Sequence, residues 1–351
     1  KVITGLRRCG KSFLLFELYR DYLISSGVPD NNILCIPLDD VDYEEYCDPH
    51  KLHTYIKEQV NDPEQQYYVF IDEAQYAISK EEMKNPDVPI RLYGVLNSLL
   101  RKRNVDVYIT GSNSKFLSSD IMTEFRGRGD EVHIAPLSFS EYFPASGLNK
   151  MDAWKEYLYY GGLPHILAEM GDEAKSNYLE KLNREIYLRD IYERYDMREE
   201  AGMESLMKVV ASAVGSLTNP QKISATFMSN GYKGISIPTI SNYLKYLQES
   251  FVIQKAERYD IKGRKYIGTP SKYYYSDLGL RNSLLNFRQF EETHLMENAI
   301  YNELIYRGYN VDVGVVEVRQ DEDGKRVRKQ MEVDFVVNQS NRRYYIQSAF
   351  A

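Results

Sequence analysis

The chain has 351 residues, 43% of them hydrophobic, and a net charge of −7; it exceeds one typical domain and can bury more than one core. No apolar run approaches ~18 residues, which excludes a membrane-spanning helix, and no secretory leader is visible. Three cysteines at irregular spacing, Cys9, Cys35 and Cys47, exclude a disulfide framework or a cysteine zinc site and favour a reduced, cytoplasmic setting.

Lys1 to Thr4 is a short β-prone segment, and the chain is read as starting inside this strand. Gly5-Leu6-Arg7-Arg8-Cys9-Gly10-Lys11-Ser12 then fits G-x-x-x-x-G-K-[ST] at every specified position. A helix from Ser12 through Phe13 to Leu18 follows. Glycines let the backbone curl so that successive N–H groups face phosphates, Lys11 reaches the β/γ-phosphates, and Ser12 places a hydroxyl on Mg2+. Gly5 to Phe13 is therefore the predicted binding segment for a nucleoside triphosphate. The loop reads phosphates and leaves ATP and GTP undistinguished.

Tyr67 to Ile71 is a hydrophobic strand ending in Asp72-Glu73. That is the Walker B pattern, in which Asp72 would hold Mg2+ and Glu73 would polarise the attacking water as general base. The next strand, Val105 to Thr110, runs into Gly111-Ser112-Asn113 and would lie beside Asp72 in a parallel sheet. Thr110, Ser112 and Asn113 are candidates to sense the γ-phosphate. Arg126 and Arg128, on a glycine-flanked segment, are candidates to stabilise developing phosphoryl charge.

The order of these motifs, closing on Pro136 to Phe143, resembles the AAA+ ATPases, and within them the archaeal-type branch with a C-terminal uncharacterised domain. The resemblance implies ATP hydrolysed to ADP and phosphate with Mg2+. One departure is Tyr159-Tyr160-Gly161-Gly162-Leu163-Pro164-His165, standing where many members place an arginine sensor. A Gly-Gly-x-Pro turn there is more like the signal-transducing ATPases.

Residues 150–204 carry apolar positions at three-and-four spacing and read as a helical lid and connector. Residues 205–285 hold eleven lysines and arginines against four carboxylates, a net of +7, which leaves −14 on the remainder. A basic module in an acidic chain is the footprint expected for a phosphate backbone. Ile237 to Leu247, with proline in its first turn, reads as a recognition-type helix presenting Thr239, Ser241, Asn242 and Lys245. The hairpin that follows resembles the wing of a winged helix, with Arg258, Lys262, Arg264 and Lys265 on phosphates. Such modules also serve in protein–protein contacts.

From residue 286 onward, Glu297 on a helix, Asp334 on a strand and Gln347-Ser348-Ala349 at a third position resemble the metal-binding plan of PD-(D/E)XK nucleases. An amide, Gln347, stands in place of the second carboxylate, and alanine in place of the lysine. The region is read as a nuclease-like fold without hydrolytic power, stopping within the domain; Lys325 to Lys329 is an alternative source of positive charge.

The expected fold class is α/β: a P-loop NTPase parallel sheet (1–150) with a helical lid (151–204), then a winged helix (205–285) and a restriction-endonuclease-like α/β domain (286–351). The expected partners are ATP, double-stranded DNA and, as an open alternative, a protein; a homo-oligomer is left open. Two rival functions are a nucleotide-gated switch that binds a protein without DNA, and an active ATP-dependent nuclease.

Overall fold

The computed structural model describes residues 1–85, 87–111, 129–195, 197, 200–229, 235–322 and 325–349. The chain divides into two compact units, Lys1–Ile134 and Ala135–Ala351.

In the first unit, β1 (Val2–Gly5), β2 (Ile33–Pro37), β3 (Tyr67–Asp72), β4 (Val105–Thr110) and β5 (Glu131–Ile134) form one sheet in the order β2-β3-β4-β1-β5. All its pairings are parallel. Strands of such a sheet are covered on both faces, which is why Tyr67 to Ile71 is a continuous apolar run instead of an alternating one. Helix α1 (Lys11–Phe13) passes through a π-helical stretch, Leu14–Tyr19, into α2 (Arg20–Ser25). Leu15 and Leu23 from this segment cover Ile3, Ile33 and Phe70 on one face. Helices α3 (Pro49–Gln59) and α5 (Arg91–Leu99) cover the other face, where Leu52, Ile56, Leu92 and Leu96 meet Val69, Ile71, Val107 and Ile109. Each such fully buried aliphatic side chain contributes about 1.5–3 kcal/mol. Between them α4 (Lys80–Lys84) is started by a Ser79–Glu82 capping box.

The second unit opens with α6 (Phe139–Ser146), α7 (Lys150–Tyr160), α8 (Asp172–Lys181), α9 (Arg189–Arg194) and α10 (Glu200–Ser212). Helices α11 (Pro220–Ser229) and α12 (Ile237–Glu249) precede the hairpin β6 (Ile253–Asp260) and β7 (Lys265–Tyr275). Helices α13 (Leu278–Leu284) and α14 (Glu292–Tyr306) lead to β8 (Asn310–Glu322), β9 (Lys325–Gln339) and β10 (Arg342–Ile346).

Two boundaries differ from the sequence expectation. Tyr142, Tyr157 and Leu158 of α6 and α7 share a core with Leu278, Leu295 and Ala299, so the segment from 135 groups with the C-terminal helices and not with the parallel sheet. The expected wing hairpin is no separate appendage either. β6 pairs in parallel with β8 through Arg258, Tyr259 and Asp260, which makes one sheet in the order β10-β9-β8-β6-β7 across the expected boundary at 285. One face of this sheet is packed by α14: Tyr301 and Leu304 meet Tyr274, Val311, Val313, Phe335 and Val337.

Candidate functional site

The C-terminal ends of β1, β4 and β3 lie side by side in that order, and each delivers one part of the candidate site. After β1 the chain turns through Gly5, whose added Cβ would lie 2.1 Å from the Ile134 carbonyl oxygen, and through Gly10 at φ +102°. Only glycine takes both constraints without strain. Lys11 is buried, its ammonium donating to the carbonyls of Gly5 (3.2 Å) and Leu6 (3.0 Å). Leu6 is buried, whereas Arg8, Ser12 and Phe13 are exposed and Arg7 is half-buried. The Cys9 thiol is buried, donates to the Ile134 carbonyl and is pushed up in pKa by burial. Lys11 opens α1 with no side-chain cap on its first N–H groups, and such a helix start favours an anion.

Asp72 ends β3 and is buried; Thr110, on the intervening β4, donates its hydroxyl to Asp72 Oδ1 and accepts the backbone N–H of Glu73 at 3.0 Å. Glu73 itself adopts the left-handed region, φ +50°. Burial raises the pKa of its carboxyl, against the pull of Lys11 and a hydrogen bond from Gln75 Nε2 to Glu73 Oε2. Lys11, Asp72, Glu73 and Thr110 thus lie together at the C-terminal strand ends, the side where ligands of open α/β sheets bind. The donor set suits Mg2+: a buried carboxylate and a serine hydroxyl, both hard oxygen ligands. Gln75 is the residue missed by sequence reasoning. Its only signal was a polar side chain two positions after the acidic pair, in a turn with no stated pattern. Ser112, Asn113, Arg126 and Arg128 lie outside the described residues.

In the second unit α12 is placed by its buried stripe Ile240, Tyr243, Leu244 and Leu247. Ser241, Asn242 and Lys245 are consequently exposed, Thr239 is half-buried, and Lys245 pairs with Glu249 at 3.7 Å. On the hairpin, Lys262, Arg264 and Lys265 are exposed around a turn that Asp260 closes by accepting the N–H groups of Lys262 and Gly263. Arg258 corrects the expectation: it is buried and donates to Gln330 Oε1 at 3.1 Å, because its strand is interior to the five-stranded sheet. Lys272 and Arg281, counted in the basic module, are buried as well. The electrostatic footprint is correspondingly smaller than the sequence count implied.

The three residues of the nuclease-like plan fall into two groups. Asp334 accepts from Gln347 Nε2 and from the backbone N–H of Ser348, each at 2.7 Å. Glu297 accepts from Lys272 Nζ (2.9 Å) and the Tyr274 hydroxyl (2.6 Å), and Lys272 also meets Glu332 at 2.6 Å. The ammonium expected at Ala349 is met at Glu297 by β7 instead. The side chains of 325–328 lie outside the described residues. Among the described residues no three His, Cys, Asp or Glu side chains converge to hold a metal ion, and no helix is long and apolar enough to cross a membrane.

The parallel sheet with its glycine loop and strand-end carboxylates is the fold of a P-loop NTPase, and residues 1–143 match the family model of an AAA domain. Residues 151–291 match a domain of unknown function (DUF8612), which runs across the expected boundaries at 204 and 285. The chain belongs to the family of an uncharacterized protein of Haemophilus influenzae, with 33% identity over 100% of this chain and 82% of the relative. An uncharacterized protein of Methanocaldococcus jannaschii is 27% identical over 97% of this chain and 73% of its own length. Among solved structures, a Walker-type ATPase of Pyrococcus abyssi shares the fold at TM-score 0.52 and 14% identity, covering 81% of this chain and 90% of that one.

Proposed function

We propose that this protein is an ATPase whose nucleotide site couples to a duplex-DNA contact in the second unit. The observation that carries the reading is Thr110, which ties Asp72 and the backbone of Glu73 together one strand away from the Lys11 loop. The amides of Gly5 to Phe13 and Lys11 hold the phosphates, releasing Lys11 from the carbonyls of Gly5 and Leu6. Ser12 and Asp72 are the residues that would hold Mg2+, which supplies charge neutralisation of the phosphates when bound. Glu73 accepts a proton from the attacking water at its carboxylate, the carboxylate being kept in place by Gln75. Arg126 or Arg128 is the candidate to complete charge stabilisation.

Duplex DNA is assigned to the exposed side of α12, Ser241, Asn242 and Lys245, with Lys262, Arg264 and Lys265 on phosphates. The nuclease-like region is read as a holding platform without hydrolytic power. The test is steady-state phosphate release from wild type and Glu73→Gln, with and without duplex DNA. Loss of turnover in the variant with DNA stimulation of the wild type supports the reading. Turnover indifferent to DNA replaces it with a switch for a protein partner, and equal rates in both proteins remove Glu73 from the mechanism.

A further inference from the structure

The face of the second sheet opposite α14 carries a row of aromatic rings with an arginine laid among them. Val311 and Val313 point to the α14 core, so Asp312 and Gly314 point away from it. Residues paired across strands share a face. Gly314 pairs with Tyr259 and Tyr259 with Tyr266; Asp312 pairs with Val336, Val336 with Tyr345, and Asn338 with Arg343. Tyr266, Tyr259, Arg343 and Tyr345 therefore project from one surface that crosses all five strands.

Contacts agree with this placement. The Arg343 guanidinium carbon lies 5.2 Å from the Tyr259 ring centroid, and Arg343 Nε donates to Asn338 Oδ1 at 2.8 Å, which fixes the guanidinium plane. Tyr259 and Tyr266 meet edge to face at 5.4 Å, and the Tyr266 hydroxyl donates to Asp312 at 3.2 Å. Despite these anchors the rings are available: Tyr266 is 62% and Tyr345 53% exposed. Gly314, where a Cβ would meet Val336 at 2.7 Å, leaves the floor between them low. At one end of the row lies the hairpin turn with exposed Lys262, Arg264 and Lys265. The carboxylates nearby are engaged: Asp312 by Tyr266, Asp260 by the turn N–H groups, and Glu257 by Lys255.

We propose that this face binds single-stranded nucleic acid, its unpaired bases stacking on Tyr266, Tyr345 and the Arg343–Tyr259 pair while the strand's phosphates run toward Lys262, Arg264 and Lys265. Rigid exposed rings alternating with a flat cation offer π-faces to bases of any sequence. The bases of a duplex are stacked on one another and cannot use them. The positive turn supplies the charge complementarity that an apolar protein-docking face would not need. This site goes beyond the duplex contact assigned to α12 and uses different side chains for the bases.

The test is fluorescence anisotropy of the full chain with fluorescein-labelled oligothymidylate and, in parallel, a blunt duplex of equal length. Tyr266→Ala and Tyr345→Ala are each expected to weaken oligothymidylate binding roughly tenfold, with Tyr345→Phe restoring it and Asn242→Ala leaving it unchanged. Duplex binding is expected to respond in the opposite way, weakened by Asn242→Ala and insensitive to Tyr345→Ala. If wild type does not bind oligothymidylate, or the Tyr266→Ala/Tyr345→Ala double variant binds it as well as wild type, the proposal is overturned. Loss of duplex binding alone sinks only the α12 assignment.

Discussion

The ammonium of Lys272 lies 2.9 Å from Oε1 of Glu297, deep in the second unit, with Glu332 on its other side at 2.6 Å. Burial works against the charge on Lys272, but Glu297 and Glu332 more than offset it and raise its pKa. Removing one partner of a buried pair leaves the others uncompensated and costs ~3–5 kcal/mol, whereas replacing both by neutral groups of similar size is far milder. Lys272→Ala is therefore expected to lower the urea midpoint of the second unit strongly. The double variant Lys272→Met/Glu297→Gln should recover much of that loss. A double variant as unstable as the single one would show that the pair contributes no such coupling.

Gln75 offers a sharper probe of the nucleotide site. Its side-chain amide holds Glu73 Oε2, while its own Oε1 is buried without a hydrogen-bond partner. Gln75→Leu keeps the volume and removes the donor, so Glu73 loses its fixed direction toward the water it would activate. Misplacement of a reacting group by about 1 Å can cost 10²-fold in rate. The expected result is kcat reduced by roughly ten- to a hundredfold with KM for ATP unchanged. An altered KM with intact kcat would place Gln75 in nucleotide binding instead.

The legible parts of the molecule were those written in contiguous sequence. The glycine loop, the apolar run ending in Asp72-Glu73 and the strand ending in Thr110 are local patterns with a mechanical reason for each residue type, and the parallel sheet follows from them. Arg258 and Lys272 were not legible as interior residues. A lysine or arginine in an alternating strand reads as solvent-facing until its partners are known, and those partners, Gln330, Glu297 and Glu332, lie far along the chain. The join between β6 and β8 was missed for the same reason. Its parallel pairing spans only Arg258 to Asp260 and has no turn to announce it. Likewise, in the sequence the Gly161–Gly162 turn has meaning only by analogy with a sensor position, while its immediate physical role depends on a carboxylate at Asp277.

That turn yields a steric prediction. Gly161 has φ +79°, and a Cβ there would lie 2.3 Å from Asp277 Oδ1, with no room for the carboxylate to retreat from the N–H groups that hold it. Gly161→Ala combines left-handed strain with a clash in a buried network, each costing on the order of 1–3 kcal/mol. It is expected to lower the melting temperature of the second unit well below that of Gly171→Ala, whose Cβ would enter open space at a similar positive φ. Equal melting temperatures would mean that the turn relaxes freely.

Asp277 itself makes the second unit sensitive to pH. Its Oδ2 accepts the N–H of Gly162 at 2.7 Å and its Oδ1 that of Leu280 at 3.0 Å, capping α13. Complete burial nevertheless pushes its pKa up to about 6 from 3.8, the backbone hydrogen bonds only moderating the rise. The folded state then holds the proton more tightly than the unfolded chain. Below about pH 4 both states are protonated and the contribution to stability is fully present; as pH rises through 6 it is lost, by on the order of 3 kcal/mol. Asp277→Asn removes the titration while keeping Oδ1 as the cap acceptor, at a cost to the Gly162 contact that does not vary with pH. The stability of wild type relative to Asp277→Asn, from urea denaturation, should therefore be greater at pH 4 than at pH 7. A difference that is constant across this range, or larger at pH 7, would show that the hydrogen bonds outweigh burial and keep Asp277 ionised throughout.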